Sequence, residues 1–479
     1  MRHRKAAQDP SRREFIWQSA CAAVGATAMA TTVWDLRMIQ AATAANLAAA
    51  TTDADYRALV CLFLFGGNDA NNMLIPTSNT EYTQYAAARG TLALPKEILL
   101  PLSPLVGDGR TYGLHNACPE LQGLFNSGKL GLVSNVGTLV GPITRAQYIA
   151  KSAAVPPSLF SHNDQQVQWQ TSVPDQISRT GWAGRCSDIV DHLNTVSSNG
   201  AKVSMNISLA GSNVIEVGNV VSPYKVSQSG AISPNIPTSG TGPAQLQTLK
   251  DLIALEHVNL MEKSVANTTT NAIRSGDTIN TAIAPTRDSG NPAPPPWTWS
   301  TPFPATSLGN QLKMIARLIA GRAALGHKRQ LFFAAASGYD LHGDQLTPHA
   351  NLLGDLSRSV KSFYDATVQL GVPNDVCLFT VSDFGRTFPV NGGFGSDHGW
   401  GNHQIVVGGG VQGQRLYGAF PTLAVNGPDD TGLGRWIPTT AVDEFSATLA
   451  KWFGVSAAEM PTVFPNINRF AHSDLGFMG

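Results

Sequence analysis

The sequence predicts an α/β fold: a three-layer sandwich on a mostly parallel central sheet, with an inserted cap segment. Two observations carry this. The apolar runs 58–65, 130–136, 330–336, 376–381 and 404–407 are near-continuous rather than alternating, the pattern of strands buried on both faces. Between the third and fourth runs, Leu352, Leu353, Leu356, Val360, Phe363 and Tyr364 recur at three- and four-residue spacing. That spacing predicts an amphipathic helix over 347–370, stopped at Gly371. A similar helix over 308–325 feeds the third strand, and strand–helix–strand alternation builds a layered sheet.

At the start of the chain, Ser11-Arg12-Arg13-Glu14-Phe15-Ile16 precedes an Ala-rich apolar stretch, 20–34. Paired arginines ahead of a modest hydrophobic segment are the address read by the twin-arginine (Tat) translocon, which exports folded proteins. The stretch falls short of the ~20 apolar residues needed to cross a bilayer. Residues 1–44 therefore read as a removable signal, cleaved after Ala42-Thr43-Ala44, and the mature chain 45–479 as periplasmic or secreted. Within it, residues 188–306 differ from the rest. Short strands are expected at 203–209 and 214–217 and a helix at 244–273, between Ser/Gly/Pro/Thr-rich stretches that end in Pro294-Pro295-Pro296. This segment reads as an insertion or cap on the main domain.

Lys+Arg and Asp+Glu are equal at 33 each, and charged residues make up only 14%. A chain without excess positive charge has no electrostatic reason to seek nucleic acid or an anionic membrane. Past residue 44 no stretch is long and apolar enough to span a membrane. Cys61, Cys118, Cys186 and Cys377 include no C-x-x-C pair, so a zinc knuckle or thioredoxin-like site is unsupported. Cys61 and Cys377 lie in apolar runs and read as buried thiols. A Cys118–Cys186 disulfide is left open.

Three strands end in polar clusters: Gly66-Gly67-Asn68-Asp69 with Asn71 and Asn72, Gly338-Tyr339-Asp340-Leu341-His342-Gly343-Asp344, and Ser382-Asp383-Phe384-Gly385-Arg386-Thr387. Asp397-His398-Gly399-Trp400-Gly401-Asn402-His403 follows shortly after the last. In open α/β sheets the carboxyl ends of strands gather at one rim, where ligands bind. Crowded carboxylates and imidazoles need positive charge between them. One or two divalent ions (Zn, Mg, Mn or Ca) meet that need, with Asp69, Asp340, His342, Asp383, His398 and His403 as candidate ligands. Each taken alone has a plainer role as a cap, turn former or satisfied histidine.

These same motifs, with Leu159-Phe160-Ser161-His162-Asn163-Asp164-Gln165 and Thr180-Gly181-Trp182-Ala183-Gly184-Arg185, resemble the Tat-exported bacterial family called domain of unknown function 1501. That family is similar in turn to the alkaline phosphatase/sulfatase superfamily, which places two metals at the carboxyl ends of a parallel sheet. The resemblance implies an alkaline phosphatase-like fold. It places Asp69 at the first metal-binding Asp, Asp340 and His342 at one metal, Asp383 at the other and His398 at the last histidine ligand. Phe384 departs from it: an Asp-His pair is expected, and phenylalanine cannot bind a metal. A weakened second site, a single-metal enzyme and a non-catalytic descendant all follow as alternatives, with His403 or the Asn71 oxygen as a substitute ligand.

The expected activity is hydrolysis of phosphate or related esters by a metal-activated serine. Ser161, beside His162, is the first candidate nucleophile and Thr144, beside Arg145, the second. A hydroxyl in either loop can equally make only a local backbone bond. Arg386 and Arg145 are candidate anion clamps, since guanidinium forks match tetrahedral oxyanions. The chain has no C-x-P-x-R stretch, which disfavours a sulfatase that matures cysteine to an aldehyde. The competing reading is a periplasmic binding or scaffold protein that keeps the sheet and a degenerate metal site.

Overall fold

A computed structural model describes residues 56–479 except 198–199, 233, 238 and 287–297. The expected signal 1–44 and the Pro294–Pro296 run lie outside the described residues. The strands are β1 (Arg57–Phe65), β2 (Leu74–Pro76), β3 (Leu100–Pro101), β4 (Tyr112–Leu114), β5 (Leu130–Gly137), β6 (Asn206–Ser208) and β7 (Tyr224–Ser227). After them come β8 (Gly230–Ala231), β9 (Arg329–Ser337), β10 (Val376–Ser382), β11 (Asn402–Val407), β12 (Leu416–Tyr417) and β13 (Thr440–Ala441). The main sheet has the order β12-β5-β11-β10-β1-β9-β6-β7-β8, with β13 also on β5. Its centre is parallel, β1 lying between β10 and β9 in continuous register. β11 runs antiparallel to both neighbours. β2, β3 and β4 form a small separate sheet.

The pleat sends alternate side chains to opposite faces, and β1 shows what that builds. Ala58, Val60, Leu62 and Leu64 enter one core; Leu59, Cys61 and Phe63 enter another. Helices Pro119–Asn126, Ser307–Ala320 and Leu346–Gln369 cover the first core, with Leu121, Leu124, Ile315, Leu353, Leu356 and Val360 buried in it. Helices Trp182–Val190 and Val442–Phe453 cover the second through Trp182, Cys186, Phe445 and Leu449. Two helical layers on a two-faced sheet make the expected three-layer α/β sandwich. Thr306 caps its helix by accepting the Gly309 N–H at 3.1 Å, and Gly371 follows the helix Leu346–Gln369 at φ +71°.

Local structure departs from the sequence pattern where tertiary contacts take the backbone. Val214–Val217 is not a strand. The N–H groups of Val214 and Ile215 go to Gln170 Oε1, at 2.7 and 3.1 Å. The carbonyls of Val217 and Ile215 accept from Gly181 and Gly184, both at 2.8 Å. A Cβ on Gly181 would stand 2.2 Å from the Val214 carbonyl oxygen, so only glycine permits that approach. The helix expected at 244–273 is two helices, Gly242–Ile253 and Leu260–Ile283, the second capped by Asn259. In the 188–306 segment, β6 pairs directly with β9 and carries β7 and β8 at the sheet edge. Cys118 and Cys186 are both free and buried in different cores, so they form no bridge. Among the described residues no helix is long and apolar enough to cross a membrane.

Glu216 is fully buried beside the second core, with Oε2 accepting from Asn213 Nδ2 at 2.7 Å and Oε1 without a partner among the described residues. Burial pushes its carboxyl up to about 8, against a smaller pull from Asn213. The folded state therefore holds a proton that the unfolded chain releases near pH 4.5. Stability from this group is present below that pH and is lost as pH rises to about 8, by up to about 1.4 kcal/mol per unit. Urea unfolding of Glu216→Gln between pH 5 and 9 should show a flatter pH dependence than wild type. Parallel curves would refute this assignment.

Candidate metal centre

β1, β9 and β10 are parallel neighbours, with Phe65 opposite Ser337 and Leu64 opposite Ser382. The loops that leave them therefore start at one rim. Gly66 turns at φ +115°, and a Cβ there would stand 2.3 Å from the Asp340 nitrogen. That contact seats the loop after β1 directly on the loop after β9.

Asp383 directly follows β10, with its side chain wholly buried. Its Oδ1 accepts the Gly66 N–H at 3.2 Å; its Oδ2 meets His162 Nδ1 at 2.5 Å and accepts from Gln166 Nε2 at 2.8 Å. A carboxylate accepts, so Nδ1 of His162 carries a hydrogen, and in the neutral ring Nε2 holds the lone pair. That Nε2 is buried without a hydrogen-bond partner among the described residues, 3.4 Å from Asp340 Oδ2. His398 follows the same logic: its Nδ1 lies 2.7 Å from the Phe160 carbonyl oxygen, which can only accept, leaving Nε2 3.3 Å from Asp340 Oδ1. His342 Nδ1 meets Asp397 Oδ1 at 3.1 Å, and its Nε2 lies 3.0 Å from Asp340 Oδ1 and 3.0 Å from His398 Nε2.

Three imidazoles thus have their Nδ1 atoms taken by acceptors and turn their Nε2 atoms toward Asp340. Lone pairs facing one another at 3.0 Å repel unless a proton or cation lies between them. Ligands about 2.0–2.1 Å from a tetrahedral ion stand about 3.3 Å apart, close to the spacings seen. Ligand atoms of His162, Asp340 and His398 all lie within 4.8 Å of one another, and His342 flanks them. The donor set, two or three neutral imidazoles and a carboxylate, fits a divalent transition metal. Burial lowers the His398 imidazole below its ordinary value, more than the Phe160 carbonyl raises it, and this favours the neutral ligand form.

Asp340 is held by Arg386, which is 1% exposed. Arg386 Nη1 donates to Asp340 Oδ1 at 2.8 Å and to the Gly66 carbonyl at 3.3 Å, Nε donates to Ser396 Oγ at 3.3 Å, and Nη2 donates to the Ser396 carbonyl. Burial raises the Asp340 carboxyl, but Arg386, His342 and His162 together bring it below the usual range. With its nitrogens directed inward, Arg386 positions Asp340 and offers no open fork to an anion.

Asp69 is turned to other partners. Its Oδ2 accepts from Arg89 Nη2 and Gln345 Nε2, and its Oδ1 has no partner among the described residues. Burial raises this carboxyl, and Arg89, His349 and Gln345 outweigh that and hold it low. Asn71 is engaged by the Arg386 carbonyl at 3.1 Å and Trp436 Nε1 at 2.9 Å. His403 is buried, stacked on Phe420 at 4.8 Å, with Nδ1 accepting the Asn135 N–H at 3.0 Å. Phe384 is fully buried, its ring centroid 4.7 Å from both His162 and His398.

Ser161 sits at the N-cap of helix His162–Thr171 and donates to Asp164 Oδ2 at 2.5 Å. Thr144 is an exposed helix cap in a reciprocal box with Gln147, and Arg145 Nε donates to the Asp430 carbonyl at 2.8 Å. The residue missed by sequence reasoning is His162. Its signal in the sequence is the polar run 161–165. Arg89 was missed as well: nothing local marks an arginine at a helix end as the partner of a buried carboxylate.

No curated protein sequence matches the chain. Among solved structures, the C-terminal periplasmic domain of EcEptC from Escherichia coli is similar at 12% identity, over 88% of this chain and 88% of that one, with a TM-score of 0.33. A protein in the alkaline phosphatase superfamily from Vibrio parahaemolyticus is similar at 11% identity, over 85% and 68%, with a TM-score of 0.30. A 2-O GAG sulfatase is similar at 10% identity, over 87% and 76%, with a TM-score of 0.30. The sequence model of the family described as "Protein of unknown function (DUF1501)" matches residues 56–460. The chain belongs to the DUF1501 family.

Proposed function

We propose that this chain is an exported, divalent-metal-dependent hydrolase of phosphate or related esters, carried out of the cytoplasm by the Tat translocon. The observation that carries the reading is the convergence of His162 Nε2 and His398 Nε2 on Asp340, each imidazole fixed through its Nδ1. An ion held there supplies Lewis acidity to an ester oxygen and lowers the pKa of a hydroxyl beside it. The chain's own residues do the rest. Asp383 and the Phe160 carbonyl hold the ligand tautomers, and Arg386 keeps Asp340 ionised. Ser161 stands one residue ahead of His162 and gives its hydroxyl hydrogen to Asp164, the direction of transfer that attack by the oxygen requires. Thr144 has no comparable base, since its hydroxyl is tied to Gln147.

One ion per chain is the stoichiometry this arrangement favours. The Arg89 guanidinium already neutralises Asp69, and the Phe384 ring fills the position after Asp383. The same ring favours a second reading, a binding protein that holds its ion without turnover. An ester panel separates the two: metal-loaded protein that cleaves no phosphate or sulfate ester supports the second.

Plasma mass spectrometry of protein exported by its own signal should find one divalent ion per chain. His162→Ala should lose it, and Asp383→Asn should weaken it by roughly 10–100-fold. Equal metal content in wild type and both variants would sink the centre. Ser161→Ala should keep the metal and lose hydrolysis; full activity would remove the covalent step. Arg89→Met leaves Asp69 buried without its cation and should cost about 3–5 kcal/mol of stability in denaturant unfolding. A loss under about 1 kcal/mol would show that the pair contributes no more than a surface one.

A further inference from the structure

We propose that Arg435 is the anion-binding residue of this centre, and that the group it binds is a tetrahedral oxyanion of the phosphate or sulfate type. The inference rests on the hydrolase reading above and names the half of the substrate that the site recognises.

Arg435 is attached to His398 directly and to its neighbour Phe160. Its Nε donates to the His398 carbonyl at 2.8 Å, and its guanidinium carbon lies 4.5 Å from the centroid of the Phe160 ring. Phe160 is the residue whose carbonyl fixes His398 Nδ1. It does so from φ +71°, a conformation disfavoured for a bulky side chain. The backbone beneath the arginine is also held. Buried Asp430 accepts the N–H groups of Gly432 at 2.7 Å and Arg435 at 2.9 Å through Oδ1, and that of Asn426 at 2.7 Å through Oδ2. Arg145 clamps the Asp430 carbonyl from outside at 2.8 Å.

Pinned at Nε and across its face, the guanidinium still has both Nη groups without an acceptor among the described residues. The neighbouring carboxylates have other hydrogen-bond partners: Asp340 has Arg386, Asp383 has His162, and Asp397 has His342. A partly buried, pre-oriented cation beside a metal ligand, with two parallel donors unspent, matches the geometry of two oxygens of one tetrahedral anion. A carboxylic ester develops a single oxyanion and would leave one of those donors without an acceptor. The fork therefore selects esters that keep at least two non-bridging oxygens.

Metal-loaded wild type, Arg435→Gln and Arg435→Lys should be titrated calorimetrically with inorganic phosphate and, separately, inorganic sulfate, with metal content and Tm read on each sample. Arg435→Gln should lose at least about tenfold in affinity for the preferred anion while keeping its metal. Arg435→Lys, which retains charge without the fork, should fall between. As a readout on the unaltered chain, bound phosphate or sulfate should protect Arg435 from phenylglyoxal modification. Unchanged affinity in both variants at full metal content overturns the inference, as does Arg435 modification at the same rate with and without anion. A wild type that binds anion through Arg435 but cleaves no ester sinks the hydrolase reading alone.

Discussion

Three parallel strands in continuous register deliver three carboxylates to one rim, and that charge has to be balanced before anything else can be built there. An uncompensated carboxylate out of water costs several kcal/mol, so each has a partner. Asp69 takes Arg89, Asp340 takes Arg386, and Asp383 takes His162. The partners come from a helix end, a loop and a helix start, far apart in sequence. Bringing them to the rim dictates the course of the chain after β1, after β10 and before the helix His162–Thr171.

The pairing has a chemical consequence, because a neutral histidine that donates from Nδ1 presents its lone pair at Nε2. Asp383, Asp397 and the Phe160 carbonyl each force that tautomer on a different imidazole. Hydrogen bonding of these acceptors and the convergence of the Nε2 atoms on Asp340 are thus one event. The three arginines divide their work by what remains of their donors. Arg89 spends its guanidinium on Asp69, Asn72 and the carbonyls of Thr387 and Phe388. Arg386 spends its own on Asp340, Gly66 and Ser396. Arg435 alone of the three keeps both Nη groups without an acceptor among the described residues.

The sheet was legible in the sequence because a strand buried on both faces has no polar positions to blur it. β1 and β10 fall within one residue of the apolar runs that announce them. The helix Leu346–Gln369 was legible because its period is regular. Val214–Val217 misled because its backbone bonds go to Gln170 and the start of a helix, and no local pattern records that. At the site, Asp340 and Asp383 were marked by position after strand ends and His398 by the Asp397-His398 motif, and they do gather. Arg89 and Arg435 were not marked, since each is defined by a partner more than a dozen residues away, and His162 was marked only by the polar run 161–165. Asp69 shows the converse. Its motif suggested a ligand, and the guanidinium that claims it is a tertiary fact.

Arg89–Asp69 is also wired to the centre. Gln345 donates from Nε2 to Asp69, which fixes the orientation of its amide and turns Oε1 outward. Ser396 gives its hydroxyl hydrogen to that Oε1 at 2.5 Å, so its oxygen lone pairs face Arg386 Nε at 3.3 Å. Arg386 then donates to Asp340. Every donor in this chain points away from the arginine ends, and no link can be reversed without stranding a buried proton or lone pair. The hydrogen-bond direction set by the buried pair therefore reaches the site carboxylate. Asp69 helps to define the centre without touching it: its charge orients Gln345, which orients Ser396, which seats the guanidinium that keeps Asp340 in place.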